Sequence, residues 1–213
     1  MFNNSQKWVN VGLKATLAVF MVFMAVHVKG DYAGSEPHRV VSETTEKVFV
    51  FLKSGIDPVA EPDRFIAELS VLLEPVVAFQ YIAQGVMGVH AKSASPEQIE
   101  QFASAFTKGL VKTYGKGISG FQGVNISVVP PKKPIGDARC TTVVQEIRTP
   151  DGVNKVSYSM AKNRQNQWKV INLVINGINF GKTFRGQFAA AVENNKGDVE
   201  KTISEWEEDV SAS

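Results

Sequence analysis

The sequence contains a single cysteine, Cys140, so no disulfide can form within the chain and its stability must come from a packed core. The residues that follow read Thr-Thr-Val-Val, a pattern typical of a strand. We therefore interpret Cys140 as a small buried side chain in preference to a reactive thiol. It also lies too far from the N-terminus to be a site of lipid attachment.

Histidine is scarce as well, because the chain has three and His27 lies in an N-terminal segment that we expect to be removed. The other two, His38 and His90, are far apart, and no His, Cys and acidic residues stand at the spacing of a metal site. The sequence has no Gly-x-Ser-x-Gly nucleophile motif. We therefore predict no catalytic residues, no metal and no cofactor.

A catalytic pair of carboxylates would have to come from Asp137, Glu146 or Asp151, and we interpret all three as surface charges. Residues 115–120 match the Gly-x-Gly-x-x-Gly pattern of dinucleotide-binding proteins. That pattern requires a strand before it and a helix after it, whereas here the predicted order is reversed. A glycine-rich helix end is the better interpretation.

The apolar run at residues 15–26 is about a dozen residues long, whereas a bilayer span needs roughly 20. Lys7 and Lys14 precede it, which is typical of a cleavable signal peptide, and we assign residues 1–30 to that peptide. An uncleaved membrane anchor is the alternative, since Trp8 and its neighbour could lengthen the run. Either interpretation places the rest of the protein outside the cytoplasm.

Without residues 1–30 the chain carries 20 basic and 21 acidic residues, so the excess of positive charge disappears. No basic field then remains to attract nucleic acid or an anionic membrane surface. Residues 31–213 have an ordinary globular composition, and we predict one domain. Within it, we expect helices over residues 36–121, a sheet over 124–176 and C-terminal helices over 180–210.

Apolar residues at helical spacing fill the first of these regions. An amphipathic helix is predicted over residues 39–54, and a second begins at Pro62 and ends or kinks at Pro75. The next segment, residues 76–89, is almost wholly apolar apart from two glycines and two glutamines. It must be buried on most sides or face an apolar ligand.

Ser95 marks the clearest helix start, because Pro96 follows at the first helical position and Gln98 can complete a capping box. The helix that begins here carries one apolar stripe rich in aromatic residues. The stripe consists of Ile99, Phe102, Ala103, Phe106, Leu110, Tyr114 and Ile118.

Beyond residue 124 the apolar period changes from helical to alternating, which predicts an antiparallel meander of about four strands. The turn at residues 149–152 joins two of them as a hairpin. The last strand, residues 168–175, is apolar on both faces, so we expect it to be central. Helical spacing then returns, with phenylalanines at four-residue intervals from Phe180.

The stretch from Gln167 to Asn179 reads QWKVINLVINGIN, and the motif Phe-Arg-Gly-Gln-Phe follows at residues 184–188. These residues resemble the MlaC family of periplasmic phospholipid carriers, also called toluene-tolerance auxiliary proteins. In that family a Trp-Lys-Val strand leads through an apolar, glycine-containing turn to a Tyr-Arg-x-x-Phe helix start. The kink at Pro75 and the helix that begins at Ser95 are similar to earlier segments of the family, in the same order.

The sequence departs from the family pattern at three positions. Asn172 stands where an acid is usual, Asn179 where a serine is usual and Phe184 where a tyrosine is usual. If these polar groups brace the turn between strand and helix, asparagine can still form the necessary hydrogen bonds.

The resemblance implies an α+β fold in which helices cover a curved antiparallel sheet and enclose an apolar cavity for acyl chains. It implies a periplasmic location and three partners: phospholipid, an outer-membrane lipoprotein complex, and an inner-membrane ABC transporter with its anchored lipid-binding subunit. Such a carrier is not an enzyme. A cone-shaped small-molecule enzyme and a non-lipid envelope adaptor stay open as alternatives.

We expect the cavity to be lined by the glycine-broken helix, the long helix and one side of the sheet. Arg185 could approach the phosphate, but an internal tie to the sheet or turn is the preferred interpretation. The predicted lining residues are Phe79, Ile82, Val86, Met87, Phe102, Phe106, Leu110, Tyr114, Val128, Val143, Val156, Tyr158, Met160 and Val170.

Overall fold

Helices begin the described chain, a meander of strands follows, and two helices end it. The computed structural model describes residues 36–58, 60–114, 125–150 and 152–212, except the side chains of residues 110–114 and 207–212. The helices are α1 (Glu36–Leu52), α2 (Pro62–Leu73), α3 (Phe79–Met87), α4 (Pro96–Tyr114), α5 (Phe180–Asn194) and α6 (Val199–Ala212), with a 3-10 turn at Gly88–Lys92. The strands are β1 (Asn125–Val128), β2 (Cys140–Thr149), β3 (Gly152–Lys162), β4 (Trp168–Ile175) and β5 (Ile178–Asn179).

The start of α4 is fixed by a reciprocal pair of hydrogen bonds. The Gln98 amide N–H donates to Ser95 Oγ at 3.2 Å, and the Ser95 amide N–H donates to Gln98 Oε1 at 2.9 Å. These bonds satisfy two amides that a helix end otherwise leaves without partners. The predicted capping box is therefore confirmed.

The strands form one antiparallel sheet in the order β1-β2-β3-β4-β5. Thr149 pairs with Gly152 across the predicted hairpin turn, and β2 and β3 pair along their whole length. The sheet is curved and unclosed, and the helices pack beside it, which confirms the predicted α+β class. The predicted signal peptide, the glycine-rich motif at residues 115–120 and Asp151 lie outside the described residues.

Strand β4 is internal to the sheet, as expected, although the middle strand is β3. It pairs with β3 along one edge, and along the other edge with the two-residue β5 and with the segment before α3. There the Val170 amide N–H donates to Val76 O at 2.8 Å, and the Ala78 amide N–H donates to Val170 O at 3.0 Å.

A β-bulge explains why β4 seemed to be apolar on both faces. Ser159 pairs with Asn172, but Met160 pairs with Val170, so Ile171 is an extra residue in β4. An extra residue reverses the alternation of side chains beyond it. Val170 and Leu173 therefore share one face, although strict alternation would place them on opposite faces.

The prediction that Cys140 is a buried side chain was also wrong. Cys140 begins β2 and its side chain is exposed. The buried face of β2 begins three residues later, at Val143, and continues through Gln145 and Ile147. The strand was predicted correctly, but Cys140 lies an odd number of residues from Val143, so its side chain points to the opposite, outward face of the sheet.

The helical core and the core of the sheet are separate clusters. The helical cluster joins α3, α4, α5 and α6, and Phe102 lies at its centre with ring centroids 4.7 Å from Phe188 and 5.4 Å from Trp206. Both contacts are edge-to-face, the geometry that aromatic quadrupoles favour. Two further clusters lie on the sheet, one of them under Val41 of α1. No helix in the described part of the chain is long and apolar enough to cross a membrane.

We predict that Phe102→Ala lowers the free energy of unfolding by about 3–5 kcal/mol, because the substitution leaves a cavity among the buried rings. Urea unfolding followed by circular dichroism measures the change. Val71→Ala is the matched control, since Val71 is 73% exposed and the loss should stay within about 0.5 kcal/mol. Equal effects of the two substitutions would contradict this account of the core.

Candidate functional site

One face of the sheet points toward the helices and carries mostly apolar side chains. The strand register places Val143, Tyr158 and Leu173 side by side across β2, β3 and β4. The neighbouring row consists of Gln145, Val156 and Ile175, with Val128 completing it on β1. Directly opposed residues of antiparallel strands lie on the same face, so these rows form one continuous inward surface.

The middle of this inward surface is less buried than its flanks. Val143 and Ile147 on β2 are completely buried, whereas Tyr158 and Leu173 are half-buried. Tyr158 and Leu173 therefore keep part of their surface accessible on a face that is otherwise buried. Accessible apolar surface of this kind is what an apolar ligand can contact.

Two helices pack against the sheet at this half-buried region. Helix α3 packs against β4 and α5, and α5 in turn packs against β4. Phe180, the first residue of α5, contacts both the helical cluster and the sheet. We define the inner apolar surface as the half-buried residues Tyr158, Val170, Leu173 and Phe180.

A chain of hydrogen bonds crosses this apolar interior from the sheet to α1. Tyr158 Oη donates to Gln145 Oε1 at 2.8 Å, and Gln145 Nε2 donates to Thr45 Oγ1 at 2.9 Å. Thr45 Oγ1 then donates to the Val41 carbonyl at 2.8 Å. We call these three side chains, Thr45, Gln145 and Tyr158, the polar relay. Burial raises the pKa of the Tyr158 phenol, so it stays a protonated donor.

The turn from β4 to α5 is braced by the two asparagines at which the sequence departs from the family pattern. Asn179 caps α5, since its Oδ1 accepts from the Lys182 amide at 3.0 Å. Asn172 Oδ1 accepts from the Gly181 amide at 3.2 Å. A Cβ at Gly181 would lie 2.6 Å from Asn172 Oδ1, so this approach requires glycine. The expectation that asparagine can brace this turn is confirmed.

Arg185 is tied inside the molecule. Its Nε donates to the carbonyl of Gly85 near the end of α3, and its aliphatic stem crosses Gly88. The last carbonyls of a helix have no partner within the helix, and a cation there also interacts favourably with the helix dipole. The bond therefore fastens α5 to α3, so the tie is internal as expected but is made to a helix and not to the sheet or the turn.

The acidic and histidine candidates lie away from the inner apolar surface. Glu146 points to the other face of β2 and forms ion pairs with Arg148 at 2.8 Å and Lys155 at 3.8 Å. Asp137 is exposed in the loop before β2. His90 contacts the ring of Phe188 at 6.1 Å between centroids. Among the described residues no group of three His, Cys, Asp or Glu could hold a metal ion.

A family model described as MlaC protein matches residues 42–208 of the chain. The chain belongs to the MlaC family. The toluene tolerance protein ttg2D of Pseudomonas putida is 33% identical over 189 residues, which cover 87% of this chain and 86% of that protein. The suggested resemblance is thereby confirmed.

A solved structure shares the fold of this MlaC chain. It is the phospholipid-binding protein from Ralstonia solanacearum in complex with a phospholipid, and it matches with a TM-score of 0.72. The match covers 84% of this chain and 98% of the other at 21% identity. At that identity the match shows a common fold.

The residues predicted to line a cavity of this MlaC fold fall into three groups. Phe79, Ile82, Tyr158 and Val170 are half-buried; of these, Tyr158 and Val170 belong to the inner apolar surface and Ile82 packs against the helical cluster. The fully buried members are Val86, Met87, Phe102 and Phe106 in the helical cluster and Val128, Val143, Val156 and Met160 on the sheet. The side chains of Leu110 and Tyr114 lie outside the described residues.

Three residues of the site were not predicted from the sequence. Leu173 was assigned to the other face because the bulge in β4 was not foreseen. Phe180 was recognised as part of a helix stripe, but its position between sheet and helices follows from the turn that precedes it. Gln145 is the one polar residue on the buried face of β2, between Val143 and Ile147. A polar residue among apolar ones at that spacing was the signal that could have identified it.

A surface groove lies elsewhere, between α1 and α2. Its volume is about 550 Å³, and it opens to solvent. Acidic and basic side chains of α1 mix there with apolar ones. Its lining consists of Glu43, Glu46, Lys47, Val50, Phe51 and Leu72.

We predict that Gly88→Ala destabilises the protein by about 1–3 kcal/mol, because Gly88 has φ +61° and a new Cβ would lie 3.3 Å from Arg185 Cδ. The free energy of unfolding in urea measures the loss. The matched control is Gly186→Ala in α5, where a Cβ meets nothing within 4 Å. That change should stabilise by about 0.5–1 kcal/mol, and a neutral Gly88→Ala would contradict the tight contact.

The raised pKa of Tyr158 predicts a loss of stability at high pH. The unfolded chain loses the phenol proton near pH 10 while the folded protein keeps it, so this contribution is complete below pH 10 and falls above it. We expect the wild type to lose up to about 1.4 kcal/mol per pH unit more than Tyr158→Phe. Urea unfolding between pH 8 and 11.5 tests this, with exposed Tyr81→Phe as the control. Parallel curves for wild type and Tyr158→Phe would contradict it.

Proposed function

We propose that this protein is an exported periplasmic carrier that holds a phospholipid by its acyl chains on the inner apolar surface. The supporting observation is the half-buried apolar side chains at the centre of a face that helices flank. The Ralstonia solanacearum protein of the same fold was solved with a phospholipid bound, which supports this choice of ligand.

The energetics of a lipid in water require such a site. Burying one methylene stabilises by about 0.8 kcal/mol, so exposing two chains of roughly 16 carbons costs on the order of 20 kcal/mol or more. Unassisted crossing of an aqueous gap is therefore very slow. The charged head group would stay near water, because a buried phosphate needs paired partners.

We propose that the whole predicted lining contributes to this site in two ways. The half-buried residues contact the acyl chains directly, and the fully buried ones hold the helices and the sheet that carry them. The partners would be an outer-membrane lipoprotein complex and an inner-membrane ABC transporter with its anchored lipid-binding subunit. Residues 1–30 would direct export and be removed. Carriage of lipid involves no reaction, so no catalytic residue is assigned.

We expect the mature protein, purified gently from the periplasm of cells expressing the full chain, to carry phospholipid. Native mass spectrometry should show adducts of phospholipid mass that are lost on denaturation, and lipid extraction should identify them. Protein that is repeatedly ligand-free would count against the proposal. Secretion without cleavage of the first 30 or so residues would contradict the signal-peptide assignment.

The substitution Leu173→Trp tests where the acyl chains lie. A larger side chain should occupy the space that an acyl chain would fill, so we expect the thermal midpoint to be maintained while bound phospholipid falls several-fold. The matched control is Ile147→Trp, because Ile147 is completely buried on the same face and overpacking there should cost about 1–3 kcal/mol. If Leu173→Trp destabilises as much as Ile147→Trp, the interior is fully packed and the proposed site is wrong.

A further inference from the structure

The segment that includes α3 lies partly at the surface, although its sequence is almost wholly apolar. Residues 75–89 contain no Asp, Glu, Lys or Arg. Val86 and Met87 are buried in the helical cluster, but Tyr81 is 58% exposed and Val89, in the 3-10 turn that follows, is 73% exposed. Packing within the described chain therefore covers only one side of this segment.

Two glycines leave room on α3 for an arginine of α5. Tyr81 and Gly85 are one helical turn apart and so share a face. A Cβ at Gly85 would lie 3.8 Å from Arg185 Nη2, and a Cβ at Gly88 would lie 3.3 Å from Arg185 Cδ. The Arg185 side chain therefore runs along the two glycines in the direction of Tyr81. This arrangement brings a cation to within about one helical turn of an exposed aromatic residue.

The Arg185 guanidinium keeps hydrogen-bonding capacity that the described residues do not use. Its Nε donates to the Gly85 carbonyl, but within the described ranges neither Nη atom has a partner and no carboxylate forms an ion pair with it. Lys182, one turn earlier on α5, is exposed and likewise has no acidic partner there. Both cations are therefore available to a carboxylate from outside.

Acidic residues are absent from the stretches of chain that build this side of the molecule. Between Glu74 and Glu97 the only Asp, Glu, Lys or Arg is Lys92. Between Asp151 and Glu193 there is no acidic residue, and the basic ones are Lys155, Lys162, Arg164, Lys169, Lys182 and Arg185. The fold brings the two stretches together, because α3 packs against β4 and α5. This side therefore carries positive charge that the nearly neutral mature chain does not show in its net value.

Val71 of α2 is as exposed as Val89, but its surroundings differ. On α2 the charges satisfy one another, since Arg64 forms ion pairs with Glu61 at 3.0 Å and with Glu68 at 3.1 Å. Single exposed apolar residues are common on soluble proteins and need no partner. An exposed tyrosine beside an unpaired arginine, with no acidic residue near it in sequence, is instead the composition typical of a protein interface.

We infer that Tyr81, Gln84, Val89, Lys182 and Arg185 form a docking face for a partner protein that presents carboxylates next to apolar side chains. The carboxylates accept hydrogen bonds from the Arg185 Nη atoms and pair with Lys182, and the apolar side chains cover Tyr81 and Val89. This inference rests on the proposed carrier function, which requires docking on the complexes that supply and receive lipid. Since α3 and α5 pack against β4, a partner bound to them lies close to the inner apolar surface.

A membrane surface fits this face less well than a protein does. Helices that lie in a membrane interface carry Lys and Arg along their polar side and large apolar residues along the other. Helix α3 has no such charges, and its exposed Gln80 and Gln84 would lose hydrogen bonds to water in a lipid environment. A protein partner can supply hydrogen bonds to both amides.

Two substitutions of exposed residues test the docking face. Lys182→Glu reverses a charge, and a negative charge in the first turn of α5 also interacts favourably with the helix dipole. Tyr81→Ser removes an exposed ring. The matched controls are Lys133→Glu, in the loop between β1 and β2 at the opposite side of the sheet, and Val71→Ser on α2. Circular dichroism verifies that all four variants are folded.

Biolayer interferometry measures how the mature proteins bind the outer-membrane lipoprotein complex and the inner-membrane ABC transporter, each purified in detergent. We expect the wild type to bind at least one of them, and to bind more weakly as the salt concentration rises. Lys182→Glu should weaken this binding about tenfold, mainly through slower association, and Tyr81→Ser several-fold, mainly through faster dissociation. Both controls should bind as the wild type does.

The outcomes separate this inference from the proposed function. Native mass spectrometry first establishes whether the wild type carries phospholipid, and lipid-free protein would overturn the carrier function and this inference with it. If lipid-loaded wild type binds neither complex, or if either substitution binds as tightly as its control, the docking face is wrong and the carrier function stands. Vesicles of phosphatidylglycerol and phosphatidylethanolamine are the third probe. Binding to vesicles alone, weakened by both substitutions, would overturn the protein partner in favour of a membrane contact.

Discussion

The extra residue in β4 decides which side chains the sheet presents to the helices. Because Ile171 bulges, Val170 pairs with Met160 while Leu173 pairs with Tyr158, and all four lie on the inward face. With strict alternation, Val170 would share its face with Asn172 instead. The bulge therefore makes the centre of this face apolar, and every contact that we assign to a ligand depends on it.

Hydrogen bonds at the edge of the sheet and at the ends of helices hold together the elements around this apolar centre. The segment before α3 pairs with Val170 through two backbone hydrogen bonds, Arg185 binds the end of α3, and Asn172 binds the first turn of α5. Directional bonds at the edges hold helices in place without requiring that side chains fill the middle. This arrangement allows the helices to stay in place while Tyr158 and Leu173 between them remain only half-buried.

The helical cluster complements this arrangement. Phe102, Phe188 and Trp206 pack against one another in it. Helix α4 packs against α2, α3 and α6, so the long aromatic stripe stabilises the helical layer. Helices α3 and α5 also pack against β4, so they join this layer to the sheet.

Local features of the fold were predictable from sequence, and non-local ones were not. The capping box at Ser95 and the hairpin turn at residues 149–152 depend on residues close together in the chain, and both are present. The inward face of β4 depends on its bulge, and its second edge pairs with the distant residues Val76 and Ala78, so periodicity alone could show neither feature.

The same limit applied to the site. Phe79, Ile82, Tyr158 and Val170 could be named because apolar residues at strand and helix spacing are sufficient to suggest a lining. Which of the predicted residues stay half-buried depends on how the helices approach the sheet, and one sequence carries little information about that. Cys140 shows the same difficulty, since its strand was recognised but the face of the strand that is buried was not.

The polar relay stabilises the protein only if its hydrogen bonds contribute more free energy than apolar side chains would contribute at the same positions. Leaving Gln145 and Tyr158 unsatisfied would cost about 1–3 kcal/mol each, or roughly 2–6 kcal/mol together. At about 0.8 kcal/mol per buried methylene, that cost equals the burial of roughly three to eight methylene groups. The hydrogen bonds from Tyr158 to Gln145 and from Gln145 to Thr45 are therefore what allows polar side chains to stand on an otherwise apolar face.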